Sequence, residues 1–188
     1  MRELVFFLEE LSVRSMLEGL LPKIISQDIS ARFIVFEGKQ DLEKQLVRRL
    51  RGYRNKEADF IVIRDQDSGD CRAIKARLSG LCAEAGCPKA MVRIACRELE
   101  SFYLADLVAV EKGLGITGIA RHQRNRKFRA PDRLGSPSQE LKALTKGRYQ
   151  KISGSRAIGS HLDPANGRSH SFKLLVATVR RLIDRSDA

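Results

Sequence analysis

Two hydrophobic patterns alternate along the first 111 residues. Short apolar runs, typical of buried β-strands, lie at residues 3–8, 32–36, 59–64 and 90–95. Predicted helices lie between and after them, at residues 11–25, 40–52, 71–85 and 98–111. Strands that alternate with helices of this length indicate an α/β fold, with a mainly parallel, Rossmann-like sheet flanked by helices.

The pattern weakens beyond residue 111. Residues 112–137 are rich in glycine, proline and basic side chains, and they predict a long loop with a short helix. Further helices are predicted at 138–146 and 169–184, with one helical turn at 154–162. We therefore expect a single domain over residues 1–188, with an α/β core at 1–111 and a basic extension at 112–188.

Charge differs sharply between the two parts. Residues 1–106 contain 18 Lys/Arg against 17 Asp/Glu, whereas residues 107–188 contain 17 against 6 and supply most of the net charge of +12. Such a basic segment favours polyanions, above all nucleic acid. The residues expected to follow a phosphate backbone are Arg121, Arg124, Arg126, Lys127, Arg129 and Lys151, with Tyr149 and Arg156 as further candidates. A solvated basic loop is the alternative.

Composition argues against two other classes of protein. The apolar runs fall well short of the roughly 20 residues of a membrane helix, and the N-terminal run is too short and too closely followed by acids for a signal peptide. The four cysteines lack C-x-x-C spacing, so we expect reduced thiols rather than a zinc site. A cytoplasmic protein without a membrane partner is predicted.

Acidic residues follow two of the predicted strands. Glu9 and Glu10 end the first strand, and Asp65 and Asp67 end the third. Ligand sites in parallel sheets lie beyond the carboxyl ends of the strands, so neighbouring strands would bring these four carboxylates into one crevice. In extended backbone, Asp65 and Asp67 point to the same side. Carboxylate oxygens suit hard cations, and the pattern therefore predicts a site for Mg²⁺ or Mn²⁺.

These motifs resemble the Toprim domain of type II topoisomerases, primases, recombination proteins and overcoming-lysogenization-defect nucleases. In LVFFLEE, Glu9 falls on the glutamate of the first Toprim motif, and in RDQD, Asp65 and Asp67 fall on the D-x-D motif. Glu10 and Val13 depart from the first motif, which has a glycine and an aspartate at these positions.

Nearly the whole chain resembles a smaller protein family. The segments FEGKQDLEKQLVRRLRGY, RDQDSGDC, RIACRELESFYLAD and RSHSF are similar to a Toprim-like bacterial family known as domain of unknown function 4276. Glu100-Ser101-Phe102 is also similar to the RloB-like family of restriction loci. Members of such families are often encoded beside ABC/SMC-type ATPases. The resemblance implies a nuclease in bacterial defence, including phage defence, or in repair, with an ATPase partner.

The Toprim resemblance implies roles for the acids. Asp65 and Asp67 would bind Mg²⁺ or Mn²⁺, with Glu9 as a further ligand or as the general base. Asp70 would support these ligands from outside, although aspartate before Cys71 is also a favourable helix N-cap.

Three further residues each have a functional interpretation and a simpler structural one. Glu100, with Glu98 nearby, would complete the catalytic site or a second metal position. Alternatively, Glu98 begins a helix, and Glu100 pairs with Arg93 or Arg97. Lys39 would contact the scissile phosphate, or it is a solvated loop lysine.

Two functional classes remain open. Retention of Glu9, Asp65 and Asp67 supports a metal-dependent phosphodiesterase acting on DNA or RNA. The departures at Glu10 and Val13 support a non-catalytic or partner-dependent nucleic-acid-binding subunit of an ATPase complex. A receiver-like phosphotransfer domain also gathers acids at strand ends, but the lysine it needs after a later strand is not at the expected place.

Overall fold

A four-stranded parallel sheet forms the centre of the molecule in the computed structural model, which describes residues 2–184. The strands are β1 (Arg2–Leu8), β2 (Ile29–Val35), β3 (Asp59–Asp65) and β4 (Met91–Ala95). Their order across the sheet is β2-β1-β3-β4, and every neighbouring pair is parallel. The predicted α/β fold with helices flanking a parallel sheet is therefore confirmed.

Eight α-helices accompany the strands in the described chain. Their bounds are α1 (Leu11–Leu20), α2 (Lys39–Arg51), α3 (Cys71–Glu84), α4 (Glu100–Leu104), α5 (Leu107–Leu114), α6 (Pro137–Leu144), α7 (Lys151–Gly159) and α8 (His170–Asp184). Short 3-10 turns occupy Leu21–Lys23, Ala120–Arg124, Arg126–Phe128 and Pro131–Arg133.

Three predicted helices differ from those observed. Helix α1 ends at Leu20 because Pro22 belongs to a 3-10 turn. The helix predicted at 98–111 is two helices, since the Asp106 side chain accepts a hydrogen bond from the Ala109 amide and starts α5 anew. The single turn predicted at 154–162 is the nine-residue helix α7.

Side-chain alternation along the strands builds an apolar core on each face of the sheet. On one face, Val5, Phe7 and Val62 pack with buried leucines of α2. On the other face, Leu4, Phe6 and Ile61 pack in a larger cluster that also includes residues of α1, α4, α5, α7 and α8. The basic extension therefore contributes directly to the core on that second face.

The extension is attached by a very close crossing of α1 and α7. A Cβ atom on Gly19 would lie 2.4 Å from the Ser160 amide nitrogen, and one on Gly159 would lie 2.4 Å from the Met16 carbonyl oxygen. Only glycine permits this backbone-to-backbone approach. The crossing fixes the position of α7 relative to the first strand and helix.

Within residues 2–184, no helix is both long and apolar enough to cross a membrane.

Gly159→Ala should destabilise the protein by about 1–3 kcal/mol, because the new methyl group meets backbone that cannot rotate away. The matched control is Gly80→Ala in α3, where a Cβ meets no heavy atom of residues 2–184 within 4 Å apart from its chain neighbours and the backbone of its own helix. This control should instead stabilise by about 0.5–1 kcal/mol. Urea denaturation of both variants measures the difference, and similar effects at the two positions would refute the close crossing.

Candidate functional site

The carboxyl ends of β1 and β3 meet at one edge of the sheet, because these two strands are neighbours, which was the condition for bringing their acids together. The two strands are adjacent, with Leu8 opposite Ile63. The Glu9 amide donates to the Ile63 carbonyl oxygen at 3.2 Å, and Glu9 Oε2 accepts a hydrogen bond from the Asp65 amide at 3.0 Å. Glu9 therefore ties the ends of the two strands together at this edge.

Asp65 is the most constrained acid of the site. Asp65 is only 7% exposed, and its Oδ1 has no hydrogen-bond partner within the described chain. Burial, followed by the negative charges of Glu10, Glu100 and Glu9, raises the pKa of Asp65 well above its usual range. We name Glu9, Glu10, Asp65 and Glu100 the carboxylate cluster.

Glu100 enters the cluster from the first residue of α4. It is 1% exposed, and the Tyr149 hydroxyl donates to its Oε1 at 2.9 Å. Burial raises the pKa of Glu100 despite this hydrogen bond. The alternative, an ion pair of Glu100 with Arg93 or Arg97, does not form within residues 2–184. Arg93 donates to the Thr178 hydroxyl, and Arg97 donates to the Asp67 carbonyl oxygen.

Tyr149 is buried, at 6% exposure, so it does not form part of a nucleic-acid-binding surface. Gly154 allows its ring to lie against α7, since a Cβ there would meet the ring at 2.6 Å.

Lys151, predicted to contact nucleic acid, lies at the carboxylate cluster. Its Nζ is 2.6 Å from Glu10 Oε2. Partial burial disfavours the ammonium, but the hydrogen bond to Glu10 and the charges of Glu10, Glu100 and Asp65 outweigh it and raise the pKa of Lys151. No sequence pattern pairs Glu10 with Lys151, because they lie far apart in the chain and become neighbours only through the packing of α1 against α7.

Asp67 differs from the geometry expected of the D-x-D motif. It lies beyond the end of β3 with a φ of 54°, so the alternation of an extended strand does not align it with Asp65. Its Oδ2 instead accepts a hydrogen bond from Lys39 Nζ at 2.7 Å, and this bond raises the pKa of Lys39. Lys39 is therefore held by an acid of the site in this conformation.

The loops after β3 and β4 are linked in an unusual backbone conformation. Asp67 and Arg97 both have positive φ, and the Asp67 amide donates to the Arg97 carbonyl oxygen at 2.7 Å. Gln66 reinforces the link, because its Oε1 accepts from the Arg97 amide. Such strain costs of order 1–3 kcal/mol per residue and is typical of functional loops.

Arg64 is a residue of the site that the sequence analysis missed. Its side chain is 8% exposed, lies 3.9 Å from Glu9 Oε2 and forms an ion pair with Glu43. Arg64 lowers the pKa of Glu9, although burial is the larger influence and the net direction is upward. An arginine inside the apolar run IVIRD was the signal that could have revealed it.

Asp70 and Glu98 form hydrogen bonds that organise the backbone. The Asp70 carboxylate accepts from the Ala73 amide at 2.7 Å and caps α3, which agrees with the simpler interpretation of this residue. Glu98 accepts from the Ser138 amide at 2.6 Å, at the start of α6. Within residues 2–184, neither side chain forms a hydrogen bond with a side chain of the carboxylate cluster, although the charge of Glu98 contributes to the raised pKa of Glu100.

The basic segment is divided between two short 3-10 turns. Arg121 and Arg124 belong to the first, whereas Arg126, Lys127 and Arg129 line a surface depression together with Arg133. Lys127 is paired with Glu140 at 2.7 Å and lies over the ring of Phe128. The remaining cations of the depression form a compact basic surface.

The carboxylate cluster fits a hard cation that keeps much of its water. It offers only oxygen ligands, a buried Asp65 oxygen without a partner, and repulsion that a cation would relieve. Among residues 2–184, no group of three or more His, Cys, Asp or Glu side chains is arranged as a ready metal site. Mg²⁺ commonly uses one or two carboxylates plus water or phosphate oxygens. Asp65 with Glu9 or Glu10 could supply these.

Fold and site together define an α/β protein with a group of acidic side chains at the carboxyl edge of a parallel sheet. A family model described as a domain of unknown function (DUF4276) matches residues 8–180. The chain belongs to this family. A search among curated proteins and a search among solved structures each found no match.

Asp65→Asn should stabilise the metal-free protein at pH 7 by about 1–3 kcal/mol, because a buried, unpartnered oxygen becomes an amide that can donate to the neighbouring acids. The pKa of Asp65 is raised on folding, so its ionisation opposes folding once the pH exceeds its unfolded value of about 3.9. The gain should therefore shrink as the pH falls towards 4.

Denaturation with urea at pH 7 and pH 4, in the presence of a chelator, measures this pH dependence. Glu18→Gln, which changes an exposed acid of α1, is the control and should alter stability little at either pH. A loss of stability in Asp65→Asn at neutral pH would show that folding requires the ionised carboxylate.

Proposed function

We propose that this protein is a metal-dependent phosphodiesterase that hydrolyses DNA or RNA. The observation that carries the proposal is Asp65, a buried acid with an unpartnered oxygen, held among Glu9, Glu10 and Glu100 at the carboxyl edge of the sheet. A divalent cation there would relieve this concentration of negative charge, and phosphodiester hydrolysis is a common use of such cations.

Bound Mg²⁺ or Mn²⁺ would polarise the phosphate and lower the pKa of a water molecule. Glu9 is suited to accept the proton of that water. One of its oxygens is occupied by the Asp65 amide, and burial raises its pKa towards the range of an effective general base. Arg64 Nε lies 3.9 Å from Glu9 Oε2, and its positive charge favours the ionised form of Glu9 that a general base needs.

Lys39 and Lys151 are suited to bind phosphate oxygens beside the cluster. Each is about half exposed and paired with an acid, Asp67 or Glu10, so each can exchange that partner for an incoming phosphate. Glu100 is too deeply buried to contact substrate, and its contribution in this proposal is negative charge near Asp65, held in place by Tyr149.

Nucleic acid is the proposed substrate because of the basic extension. Arg126, Arg129 and Arg133 line one depression, and phosphate contacts of this kind position a strand without reading its sequence. The Toprim-like resemblance of the acidic motifs supports the same class of reaction. A role in phage defence or repair, in a cytoplasmic complex with an ABC/SMC-type ATPase, follows from that resemblance alone.

A second candidate is a non-catalytic or partner-dependent nucleic-acid-binding subunit of such an ATPase. The two lysine–carboxylate pairs favour it, because they already satisfy Glu10 and Asp67. Asp67 also has a φ of 54° and so lacks the extended conformation that would align it with Asp65 in a D-x-D pair.

Cleavage of supercoiled plasmid and of single-stranded RNA tests the two candidates. With Mg²⁺ or Mn²⁺ the phosphodiesterase should cut at least one substrate, and it should fail in EDTA. Asp65→Asn should lower the rate by about 100-fold or more, whereas the surface control Glu18→Gln should cut normally. Equal cutting by Asp65→Asn would place the chemistry elsewhere, and no cutting by folded protein in either metal would favour the subunit.

A further inference from the structure

We propose that Lys151 is the resident counter-ion of the carboxylate cluster and that a divalent cation binds there only by displacing the Lys151 ammonium from Glu10. The inference rests on the proposed function, because it concerns the same cation site. It adds a residue from the basic extension to the control of that site and gives this lysine a role other than holding nucleic acid.

The contact itself is direct and reversible. Lys151 Nζ lies 2.6 Å from Glu10 Oε2, while the lysine side chain is 53% exposed. The ammonium therefore neutralises the edge of a buried acidic cluster, yet a rotation of its flexible stem towards solvent releases it. Glu10 is less exposed, at 27%, and stays with the cluster when the lysine leaves.

The same carboxylates act on Lys151 and on Asp65. The charges of Glu10 and Glu100 raise the pKa of Asp65 after burial, and Glu10, Glu100 and Asp65 together raise the pKa of Lys151 against the effect of burial. An ammonium and a divalent cation that share these ligands repel each other strongly in a poorly solvated site. Occupancy by one should therefore exclude the other.

Rigid elements place Lys151 at this position. Glu10 directly precedes α1, and Lys151 is the first residue of α7. The two helices touch backbone to backbone near their carboxyl ends, at Gly19 and Gly159. The ion pair thus links the starts of two helices whose later turns are already fixed against each other.

Replacing Lys151 tests the exchange through metal binding alone. Lys151→Met removes the charge and keeps most of the stem, and Lys151→Gln is a second neutral variant if the first folds poorly. Both should bind Mn²⁺ about tenfold more tightly than the unaltered protein in calorimetric titrations. Lys151→Arg keeps the charge and should remain close to the unaltered protein.

Two controls locate the effect. Lys173→Met removes an exposed lysine of α8 and should leave Mn²⁺ affinity unchanged. Adding Asp65→Asn to Lys151→Met should abolish the gain, since the cation would lose its buried ligand. Circular dichroism without metal confirms that each variant is folded.

The inference fails if the Lys151 and Lys173 variants bind Mn²⁺ equally, if neutral variants bind it more weakly, or if no variant binds it. Cleavage is not the readout, so the two proposals can fail separately. Tighter Mn²⁺ binding by Lys151→Met would uphold the counter-ion even if the unaltered protein, folded and loaded with metal, cuts neither substrate, and that second result alone would overturn the phosphodiesterase.

Discussion

Repulsion among four carboxylates at the end of a parallel sheet is the constraint on which the rest of this site depends. Because β1 and β3 are adjacent and parallel, Glu9 and Asp65 come together, and α4 adds Glu100. Water cannot relieve the charge of Asp65, which is almost completely buried. Three basic side chains partly balance this negative charge. Each lies beside an acid of this edge: Arg64 by Glu9, Lys39 by Asp67 and Lys151 by Glu10.

The contacts of helix α7 explain part of the excess of basic residues in the second half of the chain. The basic extension does more than add a polyanion-binding surface to a neutral core. Helix α7 crosses α1 through two glycines, completes the apolar core on one face and delivers Lys151 to Glu10. Tyr149, just before α7, holds Glu100 by its hydroxyl. The extension thus supplies the partners of two acids at this edge, Tyr149 for Glu100 and Lys151 for Glu10.

The fold was largely predictable, because β1, β3 and β4 are short apolar runs and α2 and α8 have clear amphipathic periods. The positions of Glu9 and Asp65 followed from the rule that sites lie beyond the carboxyl ends of parallel strands. Helix α7 was underestimated, since the segment ISGSRAIGS has little apolar periodicity and is fixed by contact with α1. The left-handed Asp67 was also beyond prediction, because its conformation depends on a hydrogen bond to Arg97 in a distant loop.

The most direct test of the account is to locate Mn²⁺ in crystals of the protein by anomalous diffraction at the manganese absorption edge. The account predicts one strong peak about 2–2.5 Å from an Asp65 carboxylate oxygen, with the Lys151 ammonium moved away from Glu10. A well-diffracting crystal with no peak at this edge, or with a peak there while Lys151 still contacts Glu10, would contradict it.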